Sequence, residues 1–436
     1  MLSWFLIILW ISIIFLLIGN WSFFRVPTVP KKWMFVAFSA KILCAGLLLW
    51  LYTSHYPNRK DADIYKYYDD GKIIASVFNQ HPLEFAKLIS GFGNIGEETV
   101  RIVSTTNYWD RSPSLSGLND NRLIICFNAV LSLISQDNIF MHMLLAAFMA
   151  FIGLTFLLKS FLQLTDGKAL LVFTVVFFSP SLFFWTSGIL KEAFMVFGLG
   201  GFFYYTNSIC RDRISIGKIS AAVFFIAVLI LSKLYVALLI VPALLAFTWN
   251  YSHSDGKAVL RYLIVNLLFL GLLMNLSSYA GVDILGLLVQ KQDEFKCLAE
   301  WMNAGSIIYV PDINHHWTSL VGAAPYALFN TFLRPHPFDK MTLLSLIAMF
   351  EILGFALLIP ISFIYRKTAS HQSLNLLMFS LNFAILLGLL IGWTTPVLGA
   401  IVRYRVPILL FLLVSMIDLT DTNKIPIVNS LIKKTG

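Results

Sequence analysis

The sequence predicts an all-α polytopic membrane protein: about eleven transmembrane helices in one integral membrane domain over residues 1–436, with two large external loops that carry surface helices. Hydrophobic residues make up 58% of the chain and charged residues only 13%, and the mean hydropathy is +0.78. Many apolar runs approach the roughly 20 residues that cross a hydrocarbon core as a helix, the conformation that satisfies its own backbone polar groups there. Lysine and arginine collect mostly in the short loops between those runs. The net charge of +9 is therefore a topology signal rather than a footprint for nucleic acid.

Residues 2–19 are uncharged, lack a basic leading region and run into Asn20-Trp21-Ser22 rather than a small-residue cleavage site, so they read as a retained span. Arg25, Lys31 and Lys32 place the next loop in the cytoplasm and send the second span, residues 33–53, outward. The first external loop then covers residues 54–137. Within it residues 123–134 are apolar but too short to cross, and Asp120, Arg122 and Asp137 flank them, as expected of a helix lying on the outer membrane surface.

Residues 139–158 run inward, 169–185 outward and 193–205 inward again, with Arg211, Arg213 and Lys218 marking the cytoplasmic side. Residues 219–249 fit one long helix or two short ones broken at Ser232-Lys233. Two are preferred, because only an even count keeps the following basic loops inside. Residues 260–273 exit, 276–340 form the second external loop, and 341–365 return to Arg366-Lys367. Spans at 374–391 and 397–417 leave Lys433-Lys434 inside. No tandem repeat, low-complexity tract or flexible linker interrupts this order.

Four cysteines, Cys44, Cys126, Cys210 and Cys297, show no CxxC spacing and read as free thiols, with a disulfide between Cys126 and Cys297, which fall on the same predicted side, as the alternative for that pair. The adjacent His315-His316 cannot both face one ion on a helix, and neither HExxH nor a carboxylate–histidine spacing accompanies them, so no metal site is expected; dependence on a divalent metal is left open. With Trp317, His316 belongs to a stretch suited to contacting carbohydrate, the indole giving a stacking face.

Chemistry concentrates in a cluster of acids and tyrosines at residues 61–70, DADIYKYYDD, which opens the first external loop. A helix starting here sets some of its carboxylates on one face, and a carboxylate in apolar surroundings is able to take a proton from a hydroxyl. The competing reading is an acidic helix start facing solvent. Tyr65, Tyr67 and Tyr68 suit stacking on a sugar ring, and tyrosine is equally the ordinary residue of the membrane interface. Lys191 follows the end of an outward run, beside Glu192: the two either bridge each other or Lys191 points into an external cavity toward a phosphate. Lys233 interrupts an apolar run and poses the same choice. Arg403 and Arg405, in Arg403-Tyr404-Arg405-Val406-Pro407, sit at the outer end of the last span, where the positive-inside bias gives no reason for them. Guanidinium groups there are fitted to bind an anion bidentately. For Lys41 and His142, inside or near the ends of spans, helix–helix hydrogen bonding or snorkelling is the expectation.

The order of these features resembles the GT-C glycosyltransferases. The resemblance rests on the acid-plus-tyrosine segment after an early span, the surface helix, Gly167-Lys168-Ala169-Leu170-Leu171 leading to Ser179-Pro180, Leu231-Ser232-Lys233 followed by residues 238–245, and Arg403-Tyr404-Arg405-Val406-Pro407. It covers roughly residues 33–418, and its specificity lies in the order and sidedness of short motifs. It implies an inverting membrane transferase whose donor is a polyprenyl-phosphate-linked sugar and whose acceptor is a glycan, lipid or protein arriving from the external side. Carried onto this chain, Asp63 or Asp61 takes the acceptor's proton, and Lys191, Lys233, Arg403 and Arg405 hold the departing phosphate. The family commonly has adjacent acids where here Ala62 separates Asp61 from Asp63, and an extra span stands at the start of this chain. The expected setting is a bacterial inner membrane, with the site on its external face and a role in cell-envelope or surface polysaccharide assembly.

Two alternatives share part of this pattern. An O-antigen-type polysaccharide polymerase also joins polyprenyl-linked sugars externally and also uses external arginines. A lipid-linked oligosaccharide flippase or transporter would show an internal repeat and many ionisable residues deep in its spans, and this chain has no such repeat and few such residues.

Overall fold

A computed structural model describes residues 2–55, 58–109, 119–165, 168–340 and 342–425. The Gly167 and Lys433-Lys434 of the preceding motifs, and the Met341 start of one expected span, lie outside the described residues. In chain order the helices are α1 Leu2–Asn20, α2 Lys31–His55, α3 Asp63–Gln80, α4 Pro82–Ser90, α5 Glu97–Val103, α6 Arg122–Ser135 and α7 Ile139–Leu164. They continue with α8 Ala169–Phe178, α9 Pro180–Trp185, α10 Lys191–Arg211, α11 Ile216–Tyr251, α12 Ala258–Ala280 and α13 Ile284–Trp301. The last five are α14 Trp317–Leu333, α15 Leu343–Ile364, α16 His371–Thr394, α17 Leu398–Tyr404 and α18 Val406–Leu419. Among the described residues there is no strand beyond two isolated bridges, Ile307 with Val397 and Arg366 with Thr420.

The protein is an all-helical, multi-pass membrane protein. Among the described residues six helices are long and apolar enough to cross a bilayer: Lys31–Ser54, Ile139–Leu164, Ile216–Tyr251, Ala258–Leu276, Leu343–Ile364 and His371–Thr394. The pair α17 and α18, bent by 54°, makes a seventh if counted as one span. Three of the other expected passages fall outside that count for local reasons. The run at 169–185 breaks before Pro180, whose ring and missing N–H stop α8. The residues at 219–249 fall within α11, whose helix breaks at Lys233 (φ −153°, ψ 86°), the place where two helices were expected to divide; the two halves are counted as one long helix. Helix α10 is diluted by the polar end Tyr204-Tyr205-Thr206-Asn207-Ser208.

The chain forms two compact units. The first comprises Met1–Lys159, Phe183–Ile209 and Ile214–Ala237; the second comprises Ser160–Leu182, Cys210–Arg213 and Leu238–Gly436. In the first, α3 lies on α6, an amphipathic helix that buries Ile124, Ile125, Asn128 and Ala129 against it. Gly71 permits this approach, since a Cβ there would fall 2.5 Å from the Asn128 Cβ. Asn128 and Ser135 in turn hold the two ring nitrogens of buried His142 on α7, each at 2.8 Å. The expected helix–helix hydrogen bonding of His142 is thus present.

Close packing also sets α10. A Cβ at Gly200 would lie 2.1 Å from the Gly153 carbonyl oxygen of α7, and one at Gly198 or Gly201 would strike the backbone near Leu229 or the Phe225 ring of α11. Without a hydrophobic drive between helices in lipid, such small-residue contacts let backbones meet and gain dispersion energy. In the second unit α16 packs between α14 and α18. Gly392 meets the Ala327 carbonyl and Thr331 Oγ1 donates to the Gly388 carbonyl at 2.8 Å, so α14 and α16 run antiparallel. The interval 276–340 thus carries α13 and an apolar α14 laid along a span.

These contacts predict that Gly200→Val forces α10 off α7 and lowers the thermal midpoint in detergent, the usual overpacking cost being about 1–3 kcal/mol. Gly217→Ala, with nothing within 4 Å, leaves it within error. Equal midpoints for both variants would refute the packing argument.

Candidate functional site

The four acids that open α3 divide their work. Asp69 accepts a two-pronged bond from the Arg59 guanidinium, at 2.7 and 2.8 Å, which holds that arginine above its ordinary pKa and stacks it 3.9 Å from the Tyr65 ring centroid. Asp70 is buried and accepts the backbone N–H groups of Asn107 and Tyr108 at 3.0 and 2.7 Å. It pins a loop in which Asn119 caps the carbonyls of Tyr108 and Trp109. Burial raises the Asp70 carboxyl above the usual carboxylate range, against the lowering by those hydrogen bonds. The backbone of Asp61 closes a 3-10 turn, Arg59–Asp61, and its side chain lies outside the described residues.

Asp63 is the acid that meets the lysines. It stands at the first position of α3, where the positive end of the helix dipole favours a carboxylate, and its side chain is 28% exposed. Lys66, one turn on, bonds it at 3.3 Å and lies 5.3 Å from the Tyr108 ring centroid. Lys191 is close enough to Asp63 and Lys233 to interact with both electrostatically. It pairs directly with Asp120 at 2.6 Å and lies 5.9 Å from the Tyr67 ring centroid.

Lys191 opens α10, a position where the helix dipole opposes a cation, so its carboxylate neighbours are what make the placement tenable. Glu192 does not bridge Lys191. Successive helical residues point about 100° apart, and the Glu192 carboxylate instead takes the ammonium of Lys233 at the break in α11. The two side chains are 0% and 4% exposed. The first unit thus gathers the carboxylates Asp63, Asp120 and Glu192 with the ammonium groups Lys66, Lys191 and Lys233, rimmed by Tyr67, Tyr108 and Tyr235. Chemically the group offers a partly exposed carboxylate beside ammonium groups, one suited to a proton and the other to an anion.

The remaining residues lie elsewhere. Tyr65 donates to or accepts from Thr53 at 2.7 Å and is covered by Arg59. Tyr68 packs edge-on to His142, its buried hydroxyl has no partner among the described residues, and burial lifts its pKa to about 12. In the second unit, His316 precedes α14, and Trp317 packs into a small core with Ile313, Leu320 and Ala323. Arg405, 0% exposed, stands at the α17–α18 break and donates through Nη1 to the carbonyls of Thr331 and Arg334, leaving Nε and Nη2 without a partner among the described residues. Arg403, two residues earlier, is half-buried.

Sequence reasoning did not mark Lys66 or Glu351. Lys66 was legible from its i, i+3 spacing to Asp63. Glu351 was legible as the one charged residue inside α15; its carboxylate accepts the N–H and Oγ–H of Ser181 in the second unit. Among the described residues no three His, Cys, Asp or Glu side chains are gathered to hold a metal ion. Compared with models of protein families, with curated proteins and with solved structures, the chain matches none.

Removing one partner of a buried ion pair strands the other charge, at about 3–5 kcal/mol. Lys233→Met or Glu192→Gln alone should therefore cut the thermal midpoint sharply, and Lys233→Met with Glu192→Leu should recover most of the loss. Additive losses would mean that the pair carries no coupling. Asp70 yields a pH signature. Its raised folded pKa means that the folded chain holds a proton where the unfolded chain, near 3.8, has released it, so its contribution to stability falls as pH rises from 3.8 through the folded value. The midpoint of Asp70→Asn relative to wild type should climb across that interval and then level; a pH-independent offset would contradict the assignment.

Proposed function

We propose that the protein is a membrane glycosyltransferase that moves a sugar from a polyprenyl-phosphate donor to an acceptor at the external membrane face, in cell-envelope or surface polysaccharide assembly. The observation that carries this reading is the meeting of Asp63 and Lys191, far apart in sequence, in one partly exposed cluster of carboxylates and ammonium groups within a chain that is otherwise largely apolar. The order of motifs along the chain supports it as well.

The reaction assigns each group a task. The acceptor oxygen attacks the anomeric carbon while Asp63 takes its proton, and the bond from that carbon to the phosphate oxygen breaks on the opposite face. Polyprenyl phosphate leaves with the electron pair, and the glycosidic bond forms with inversion. Charge grows on the leaving phosphate, where Lys191 provides fixed positive charge; Lys233, neutralised by Glu192, acts by holding the start of α10. Arg403 and Arg405, which the order of motifs also offers for an anion, belong to the second unit, where Arg405 keeps two buried donors. Asp61 is the alternative base.

The matching topology has eleven passages. To the six long helices and the α17–α18 pair it adds α1, the broken α8–α9 run, α10 and a second passage from α11 divided at Lys233. This arrangement puts the start of α3, the start of α10 and the break in α11 on the external side, with Arg211, Arg213 and Arg366-Lys367 inside.

The test is mass spectrometry of lipid-linked and surface glycans in cells lacking the protein, complemented at matched expression. Asp63→Asn should insert normally and lose about 10²–10⁴ in rate, the usual worth of a general base. Lys191→Met should raise the donor requirement. An acceptor short of one sugar in the Asp63→Asn cells supports the transferase. Complete repeat units left unjoined would instead indicate a polymerase, and unchanged glycans without the protein would exclude both.

A further inference from the structure

Lys41 lies about 15 Å along α2 from its first residue, where a cation in an apolar helix is expensive unless it reaches an interface or a partner. It reaches no interface, being wholly buried. Its ammonium donates to the Thr186 carbonyl at 3.0 Å, to Thr186 Oγ1 at 2.8 Å and to Ser187 Oγ at 3.1 Å. Three N–H groups thus meet three neutral oxygens, and among the described residues no carboxylate pairs with Lys41. The Phe183 ring centroid, 5.6 Å away, adds a face suited to a cation.

All three oxygens belong to the turn at residues 186–190, each of whose residues is buried. The turn's bonds include Leu190 N–H to the Gly188 carbonyl at 2.8 Å, Ser187 N–H to the Phe184 carbonyl at 3.2 Å, Ala193 N–H to the Leu190 carbonyl at 3.1 Å and Ser187 Oγ to the Phe183 carbonyl at 2.6 Å. Gly188 is pressed against α2 and α7, for a Cβ there would fall 2.7 Å from Leu48 and from Met143. The next two residues are Lys191 and Glu192. A displacement of the turn therefore moves both ion pairs at the start of α10.

We propose that Lys41 is a positioning residue: its ammonium is a tethered cation that orders the turn at 186–190 and so aims Lys191 at Asp120 and Glu192 at Lys233. An apolar side chain of equal length would fill the same space yet remove the three N–H donors that Lys41 brings to these oxygens, and a neutral side chain would replace at most some of them. The role is independent of which reaction the cluster serves.

Hydrogen exchange on the full-length protein in detergent reads the turn directly. In Lys41→Ala, amides of residues 186–192 should exchange about tenfold faster or more, the equivalent of one unmade buried hydrogen bond. Added n-propylamine, which matches the three carbons and nitrogen removed and which crosses apolar regions neutral and protonates in the cavity, should restore protection, whereas n-propanol should not. Equal rescue by the alcohol would reduce Lys41 to a space-filling side chain, and unchanged exchange in Lys41→Ala would overturn the proposal outright. If Lys41→Ala fails to accumulate, Lys41→Gln supplies the same contrast by keeping N–H donors without the charge. Faster exchange over 186–192 in that variant supports the cation, and wild-type protection refutes it.

Discussion

The ion pair between Lys233 and Glu192 is the constraint around which the first unit is arranged. Neither charge has solvent to turn to, so each fixes the other: α10 must begin where α11 breaks, and α11 must break where α10 begins. The glycines at 198, 200 and 201 let α10 approach its neighbours closely enough for the pair to form. A hydrophobic pair of the same volume would serve stability as well or better. The pair stands beside Lys191, which is itself within electrostatic reach of Asp63 and Lys233.

The acidic opening of α3 shows how one short segment is divided between architecture and chemistry. Asp69 and Asp70 are spent on Arg59 and on the backbone N–H groups of Asn107 and Tyr108. Because the helical repeat turns each residue by about 100°, Asp63, Tyr67 and Asp70 share a face. Asp63, at its end, remains partly exposed while Asp70 is buried. The same economy is seen in Lys41, whose charge is consumed by a turn rather than by a carboxylate.

In the second unit the problem is reversed. Arg405 is buried with only one of its nitrogens engaged, at a helix break where Pro407 cannot supply an N–H to continue the ladder. Donors left in this way are costly in an apolar interior, and an anion that takes them would recover that cost. Glu351 has the opposite character: a carboxylate inside a span, satisfied by the backbone and hydroxyl of Ser181.

Composition and run length alone determined that this is a helical membrane protein, because hydrocarbon admits little besides helices whose backbones are internally bonded. They also located residues of interest such as Asp63, Lys191, Lys233 and Arg405, since ionisable groups in apolar runs stand out without any structure. Other matters depend on distance in space, which spacing along the chain does not encode. Adjacency suggested that Lys191 and Glu192 bridge each other; packing sent them to Asp120 and Lys233. The break in α11 at Lys233 was legible as a lysine interrupting an apolar run, whereas the break of the 169–185 run before Pro180 was not, because hydropathy does not register it. Which acid of residues 61–70 comes within reach of Lys191, and that Lys41 faces three oxygens, was decided by tertiary structure alone, for a buried charge takes its meaning from the partner that folding brings to it.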